Sequence, residues 1–492
     1  MNPTNPTSPT IFVIIGITGD LAQRKLLPAL LSLYVKKLLP QKFAVVGFSR
    51  RHFSREEFRM HIRENMHVRP GQYREEEIKH FLDHMSYEQG FFDNESSYHL
   101  LAQRLATIDE GFHQCSNKLF HLAVSPSFYE IILDHLAKSG LTVPCDDNLG
   151  WTRVLVEKPF GNDVETAEKL DAKLAKLFKE EQIFRIDHYL AKEALQNILS
   201  FRFANTLFEP LWNRVNIDKV HIKLLEKADV EGRGTFYDSV GALKDVGQNH
   251  LLQMLALVAM EKPRVLDASG IRKERAKILA ALRPITKKTV NKLALRAQYE
   301  GYSKEPGVKA GSQTETYFRL EAQINNSRWK NVPFFLESGK AMAESRCEIN
   351  VYFKSTHHKT RFSMLGGGTA PVTTTVGNSV LDRQNVLTFK IQPDEGIKIR
   401  FWVKKPGFTM DVEPKMLKFK YLEAGSADPL PDAYEHVLYD AILGDQTLFT
   451  STPEVLAAWK FITPIVAAWH TTAQASTFAT PLTLYKKGSK EV

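Results

Sequence analysis

The sequence predicts an α/β Rossmann-like doubly wound domain followed by an α+β domain with a large, mainly antiparallel sheet. Three observations carry this reading. Apolar runs of strand length alternate with helical segments from residue 11 to about 185. The first run ends in a glycine turn that opens a helix. Beyond about residue 200 the runs give way to segments alternating polar and apolar residues, the period of a half-buried strand. The expected divisions are a disordered lead-in over 1–10, a first domain over 11–187 and a second over 188–492.

The elements follow in order. IFVII at 11–15 suits a strand buried on both faces of a parallel sheet. GITGDLAQRKLLPALLSLY follows, with Gly16 and Gly19 where a tight strand-to-helix turn is needed. Such a turn aims backbone N–H groups and a helix N-terminus at an anion. The pattern is GxxGxxA, with Ile14 at the first glycine position of the full fingerprint, and an ordinary βα turn with two glycines reads the same way. KFAVVGFSRR at 42–51 is the next strand. An NAD site ends this strand with an acid for the ribose 2′-hydroxyl. Here it ends in Ser49, Arg50 and Arg51, and a guanidinium fork at Arg50 suits a 2′-phosphate, so NADP is expected. KLFHLAV at 118–124, WTRVLVEKPFG at 151–161 and QIFRIDHYL at 182–190 read as further strands separated by helices. Glu157, Lys158, Asp187 and His188 follow apolar runs at strand ends, where ligands lie in such sheets.

In the second domain VNIDKVHIKLLE at 215–226 and CEINVYFK at 347–354 alternate as strands, and 385–407 reads as two strands around Pro-Asp-Glu-Gly. GQNHLLQMLALVAM and the run around PEVLAAWKFITPIVAAWH read as helices. Gly366–Gly368 read as loop, and His357 and His358 as solvated.

The whole chain narrows the functional classes. A formal charge of +9 over 492 residues suits nucleic acid, a solvated basic surface or an anionic small molecule. No block of five consecutive basic residues occurs, which disfavours nucleic acid. Cys115, Cys145 and Cys347 are far apart and have no zinc spacing, so neither a disulfide framework nor a metal is expected and a reducing, cytoplasmic setting is. The N-terminal residues lack the charged region of a signal peptide, and no apolar run reaches the ~20 residues of a membrane span.

RIDHYLAKE at 185–193 concentrates charge. On a helix His188 and Lys192 would share a face and repel unless an anion lay between them, with Tyr189 as a further donor. An ion-paired surface helix, Glu193 neutralising Lys192, is the alternative. His250 stands at the head of an apolar helix. Burial would keep it neutral and proton-accepting, given a carboxylate to orient it, and Asp187 and Asp245 are candidates. Asp245, five residues away, lies about 140° round an ideal helix and need not touch it. A satisfied core histidine is the other reading.

GITGDLAQRKLLPAL, EKPFG, RIDHYLAKE and GALKDVGQNHLLQMLALVAMEKP together resemble the glucose-6-phosphate dehydrogenase family, over about 11–480. The resemblance implies oxidation of glucose 6-phosphate to 6-phosphoglucono-lactone with NADP, the opening step of the pentose phosphate pathway, in a homodimer or homotetramer without metal, nucleic acid or membrane. It implies His250 as catalytic base and Asp187 as its carboxylate partner. His188, Tyr189 and Lys192 match the phosphate binders, and Glu226 and Asp245 the sugar-hydroxyl binders. Lys158 matches a lysine reaching substrate and cofactor, in a Lys-Pro bond often cis in the family. Lys340, Gln392 and Lys25 match further substrate-side residues. Gly16, Ile17, Thr18, Gly19, Asp20, Leu21, Ala22 and Gln23, with Arg50 and Tyr129, match the cofactor side. One position departs: where the family has a second basic residue for the phosphate stands Ser345, with Arg346 next. Arg346 is expected either to replace it or to serve a structural NADP site. Another hexose phosphate, free glucose, or a non-catalytic NADP-sensing role are the rivals.

Overall fold

The computed structural model describes residues 8–145, 150–355, 384–408, 412–422, 430–470 and 480–492. His357, His358 and Gly366–Gly368 lie outside these, as do residues 1–7 of the expected lead-in.

Six parallel strands build the first sheet: β1 (Thr10–Ile15), β2 (Phe43–Ser49), β3 (Met85–Gln89), β4 (Asn117–Leu122), β5 (Thr152–Val156) and β6 (Ile183–Ile186). Every residue of β1 and β2 is buried, because helices cover both faces of the sheet and an apolar run loses no exposed side. The order β6-β5-β4-β1-β2-β3 reverses direction at β1. The carboxyl ends of β1, β2, β4, β5 and β6 therefore line one edge, with the crevice of a doubly wound sheet beside β1. The polar strand β3 (MSYEQ) escaped the sequence reading because it is an edge strand with one buried residue.

The second sheet holds β7 (Ile217–Leu225), β8 (Ala294–Tyr299), β9 (Tyr317–Gln323), β10 (Pro333–Gly339), β11 (Arg346–Phe353), β12 (Val386–Gln392), β13 (Gly396–Lys404) and β14 (Val412–Lys420). The order is β14-β13-β12-β11-β7-β10-β9-β8, antiparallel except for β7 beside β10. A helical run from Gly234 to Ala259 lies against β7 and β10 and puts its apolar side into the core.

Two late strands alter the expected division at 187. β15 (Phe449–Thr450) pairs antiparallel with β6, so the first sheet is completed from the C-terminal region. The helix Ala433–Leu443 packs on the helix Leu27–Val35 of the first domain. β16 (Leu482–Tyr485) extends the second sheet parallel to β8. No described helix is long and apolar enough to cross a membrane.

The cysteines correct an expectation. Cys115 and Cys145, with Cα atoms 6.3 Å apart, form a disulfide, and only Cys347 is free and buried. They stand 30 positions apart in sequence, and the intervening strand and helix bring them together, which linear spacing does not reveal.

Candidate active site

The glycine turn is as tight as its sequence suggested. Gly16 has φ +90°, and a Cβ there would lie 2.5 Å from the carbonyl oxygen of Ala123. No other residue fits that approach. Thr18 Oγ1 and Ser49 Oγ share a 2.9 Å hydrogen bond that ties the turn to the end of β2, and the Gln23 amide donates to Thr18 O. Arg50, next along, is exposed and has no side-chain partner among the described residues. Ile17, Gly19, Asp20, Leu21 and Ala22 complete the turn and the helix start. The adjoining helix is π-helical over Ala22–Leu26. A pyrophosphate suits the turn and a 2′-phosphate suits Arg50, so a dinucleotide fits these residues.

Tyr129 does not line the crevice. It is 1% exposed, and its hydroxyl donates to the Glu157 carbonyl at 3.1 Å. It braces the chain just past the end of β5, next to Lys158.

A cleft of about 350 Å³ lies between the carboxyl end of the first sheet and the helical run over the second, bordered by Lys158, His188, Tyr189, Glu226, Asp245, His250 and Lys340. At its floor His250 Nδ1 and Asp187 Oδ1 are 2.6 Å apart, with side chains 3% and 2% exposed. The carboxylate can only accept, so Nδ1 carries the proton and Nε2 is left as the basic atom. Asp187 Oδ1 also accepts Tyr189 N at 3.0 Å. Burial lowers the proton affinity of His250, and the Asp187 charge partly restores it. The same His250, with its hydrogen bond, holds the Asp187 carboxyl below its ordinary value against the cost of burial.

The helix at His250 is not the one expected. Leu243–Leu251 is π-helical, continuing into the α-helix Leu252–Ala259. Residues five apart share a face in a π-helix, so Asp245 and His250 are neighbours where an α-helix would separate them by about 140°. Asp245 takes Lys158 Nζ on its carbonyl at 2.8 Å and on Oδ1 at 3.2 Å. The Lys158–Pro159 bond is cis, as the resemblance implied. Lys340, 3% exposed, donates to Glu226 Oε2 at 2.7 Å.

The strand read to residue 190 ends at Ile186, and residues 188–192 are not the helix on which His188 and Lys192 would share a face. These residues form turns, and Lys192 is the N-cap of the helix Glu193–Phe203. His188 and Lys192 therefore do not meet as helical neighbours. His188 is half-buried, its ring 4.9 Å from that of His250, and desolvation with His250, Lys158 and Lys192 nearby keeps it neutral. Glu193 bonds His436 Nε2 at 2.9 Å and so does not neutralise Lys192. The Lys192 ammonium lies 5.3 Å from the Tyr189 ring centre, without a hydrogen-bonded partner among the described residues. Tyr189 OH reaches Gln392 Oε1 at 3.5 Å, a marginal contact that puts Gln392 at the rim. Lys25 bonds Asp432 Oδ2 at 3.1 Å and is half exposed, outside the cleft but close enough to lower the proton affinity of Lys192.

Arg346, like Lys25, makes its ion pairs outside the cluster. On β11 the neighbouring Cys347 faces Lys192 and Tyr189. Strand alternation turns Arg346 to the opposite face, where it pairs with Glu344 at 3.4 Å and Glu348 at 3.5 Å. No contact joins Arg346 to His188, Tyr189 or Lys192 among the described residues.

Glucose-6-phosphate dehydrogenase family models match 13–197 (NAD binding domain) and 199–491 (C-terminal domain). The chain is 41% identical to glucose-6-phosphate 1-dehydrogenase of Aggregatibacter actinomycetemcomitans over 464 residues, 92% of this chain and 90% of that one. It is 37% identical to the protein of the same name from Bacillus subtilis (strain 168), over 95% of this chain and 93% of that one. A solved structure titled glucose-6-phosphate dehydrogenase in complex with its substrate glucose-6-phosphate superposes with TM-score 0.86 at 31% identity, covering 99% of this chain and 96% of that one. The Mycobacterium avium glucose-6-phosphate 1-dehydrogenase structure gives 0.79 at 30%, covering 98% and 95%.

Proposed function

The chain belongs to the glucose-6-phosphate dehydrogenase family, and on that premise we propose that it oxidises D-glucose 6-phosphate to 6-phospho-D-glucono-1,5-lactone with NADP. The observation that carries this is the buried 2.6 Å pair of His250 and Asp187 at the floor of a cleft lined by Lys158, His188, Tyr189 and Lys340, with the Lys192 ammonium 5.3 Å from the Tyr189 ring centre.

His250 Nε2 takes the proton of the C1 hydroxyl while C1 loses a hydride and its oxygen becomes a carbonyl. Asp187 holds the imidazole in the tautomer that leaves Nε2 free, and stabilises the imidazolium that forms. The bound nicotinamide would supply the hydride acceptor. Lys192 and the Tyr189 hydroxyl hold the phosphate, with His188 as a neutral donor. Glu226, Asp245 and Lys340 suit the sugar hydroxyls, and Lys158 joins the two halves. The phosphate is remote from C1, so its binding energy serves to position the reacting atoms. Arg50 favours NADP over NAD, because a free guanidinium at the end of β2 attracts a 2′-phosphate and no acid stands there for a 2′-hydroxyl. Family membership supports a homodimer or homotetramer, and the apolar residues Leu417 and Phe419, more than half exposed on the edge strand β14, suit burial between subunits.

The test is absorbance of the reduced nicotinamide, with glucose 6-phosphate or glucose as substrate and NADP or NAD as acceptor. Turnover is expected with glucose 6-phosphate and NADP. Equal rates with unphosphorylated glucose would sink the substrate, and a preference for NAD would sink the cofactor.

A further inference from the structure

The base-bearing helix begins at a break. Gly241 has φ +73° and ψ 167°, and the π-helical segment Leu243–Leu251 starts two residues later. A helix start leaves N–H groups without intrahelical partners, and no side chain of the segment's own residues caps this one. The acceptor comes from another part of the chain. Glu315, two residues before β9, takes Leu243 N on Oε1 at 3.0 Å and Ala242 N on its carbonyl at 3.0 Å. The approach is so close that a Cβ on Gly241 would lie 2.5 Å from the Glu315 carboxylate. Glu315 is 5% exposed.

The same stretch of chain supports the opposite wall of the cleft. Thr316 O accepts the backbone N–H of Lys340 at 2.9 Å, and Tyr485 OH bridges Lys340 O and Thr316 Oγ1 at 2.6 and 2.9 Å. Glu315 and Thr316 thus brace the helix that carries Asp245 and His250 against the segment that carries Lys340.

We propose that Glu315 is a positioning residue for the oxidation: by capping the first turn of Leu243–Leu251 it fixes Asp245 and His250 relative to Lys340. This rests on the function proposed above and adds a residue that touches neither substrate nor cofactor.

The brace is also titratable. Burial pushes the Glu315 carboxyl up to about 7. Arg296 on β8 and Lys244 on the π-helical segment pull it down. Tyr237 on the preceding helix and Tyr302 also face it, and His470 lies beside Lys244 and Arg296. A carboxylate at a helix N-terminus is a stronger cap than a carboxylic acid. Turnover is therefore expected to rise as pH passes about 7, separately from the ionisation of His250, which burial holds below the ordinary imidazole range.

Glu315→Gln keeps an acceptor without the charge, and Glu315→Ala removes both. In Glu315→Ala, kcat should fall roughly tenfold to a hundredfold with KM for NADP unchanged, the cost of leaving a buried N–H without an acceptor. Glu315→Gln should keep turnover above that of Glu315→Ala, at the level the wild type shows below pH 7, and abolish the ionisation near neutrality. Gly241→Ala, which drives a methyl into the carboxylate, should reproduce the alanine variant. Hydrogen exchange across Leu243–Leu251 needs no substrate, and should speed up in Glu315→Ala and not in Glu315→Gln. If exchange responds while the wild type leaves glucose 6-phosphate untouched, the proposed substrate is wrong and the brace stands. Exchange unmoved in Glu315→Ala, or a Glu315→Gln pH profile that superposes on the wild type, overturns the inference. Should the alanine variant not fold, the glutamine pH profile alone decides.

Discussion

The two halves of the site are built in opposite ways. The cofactor half is one continuous turn, Gly16 to Gln23, with Arg50 a single strand away. It works through backbone N–H groups and one free guanidinium, and tolerates no Cβ at Gly16. The substrate half is assembled from side chains at 158, 187–192, 226, 245, 250 and 340, drawn from both sheets; Asp187, His250 and Lys340 are buried, and the cluster is tied together by its own hydrogen bonds. The first half is a property of a local fold. The second exists only when distant segments meet. Damage to the cofactor half should therefore weaken binding, whereas damage to the substrate half should strike turnover first.

The largest expected effect tests that contrast at its centre. His250→Asn should cut kcat by roughly 10²–10⁴ with little change in either KM, as loss of a general base does. Near-normal kcat would remove His250 from the chemistry. Asp187→Asn should come close behind, about 10³–10⁴-fold, because an amide lets the imidazole adopt the wrong tautomer. It should carry a signature in pH as well. The base works only when neutral, so activity is present above its proton affinity and lost as pH falls through it. Burial sets that affinity below the ordinary imidazole value, and Asp187 partly restores it. Removing the charge should move the acid limb of kcat/KM to still lower pH, and a limb moving upward would contradict the pairing.

Arg50→Ala should raise KM for NADP about tenfold to a hundredfold, the worth of a charged contact, with little effect on NAD and none on kcat. A fall in kcat would erase the distinction between the halves. The smallest effects sharpen it within the substrate half. Lys192→Ala should raise KM for glucose 6-phosphate by about tenfold or more and leave glucose oxidation unmoved. Arg346→Ala, on the far side of β11, should leave KM for glucose 6-phosphate unchanged. A rise there would mean that Arg346 reaches the phosphate after all.

Legibility in the sequence followed the same division. The strand-turn-helix at 11–35 and the basic end of β2 are local, and reading them required only period and residue type. The partnership of His250 with Asp187 spans 63 residues and was reached through resemblance, since no spacing rule links them. Errors arose where local geometry departed from the default. An α-helical count separated Asp245 from His250, and the π-helical segment reunites them. QIFRIDHYL reads as a strand to 190, but the strand ends at Ile186 and the Tyr189–Asp187 hydrogen bond holds turns beyond it, neither strand nor the helix on which His188 and Lys192 would meet. Arg346 was one residue off the family register, and in a strand one residue is a change of face. Glu315 carries no local signal at all: SQTETYF reads as the approach to a strand, and only the fold brings its carboxylate under Leu243.

The pairing of β15 with β6 has a consequence for how this chain is made. Synthesis runs from the N-terminus, and the first domain has all six parallel strands once Ile186 has emerged from the ribosome. Its sheet nevertheless keeps an open edge at β6 until Phe449 and Thr450 arrive. Through most of translation that unpaired row of N–H and C=O groups, beside the buried Phe184 and Ile186, is a template for another chain. The nascent protein is thus most exposed to misassociation when its cofactor turn is already complete, and a fragment ending at Asp187 would carry that hazard permanently.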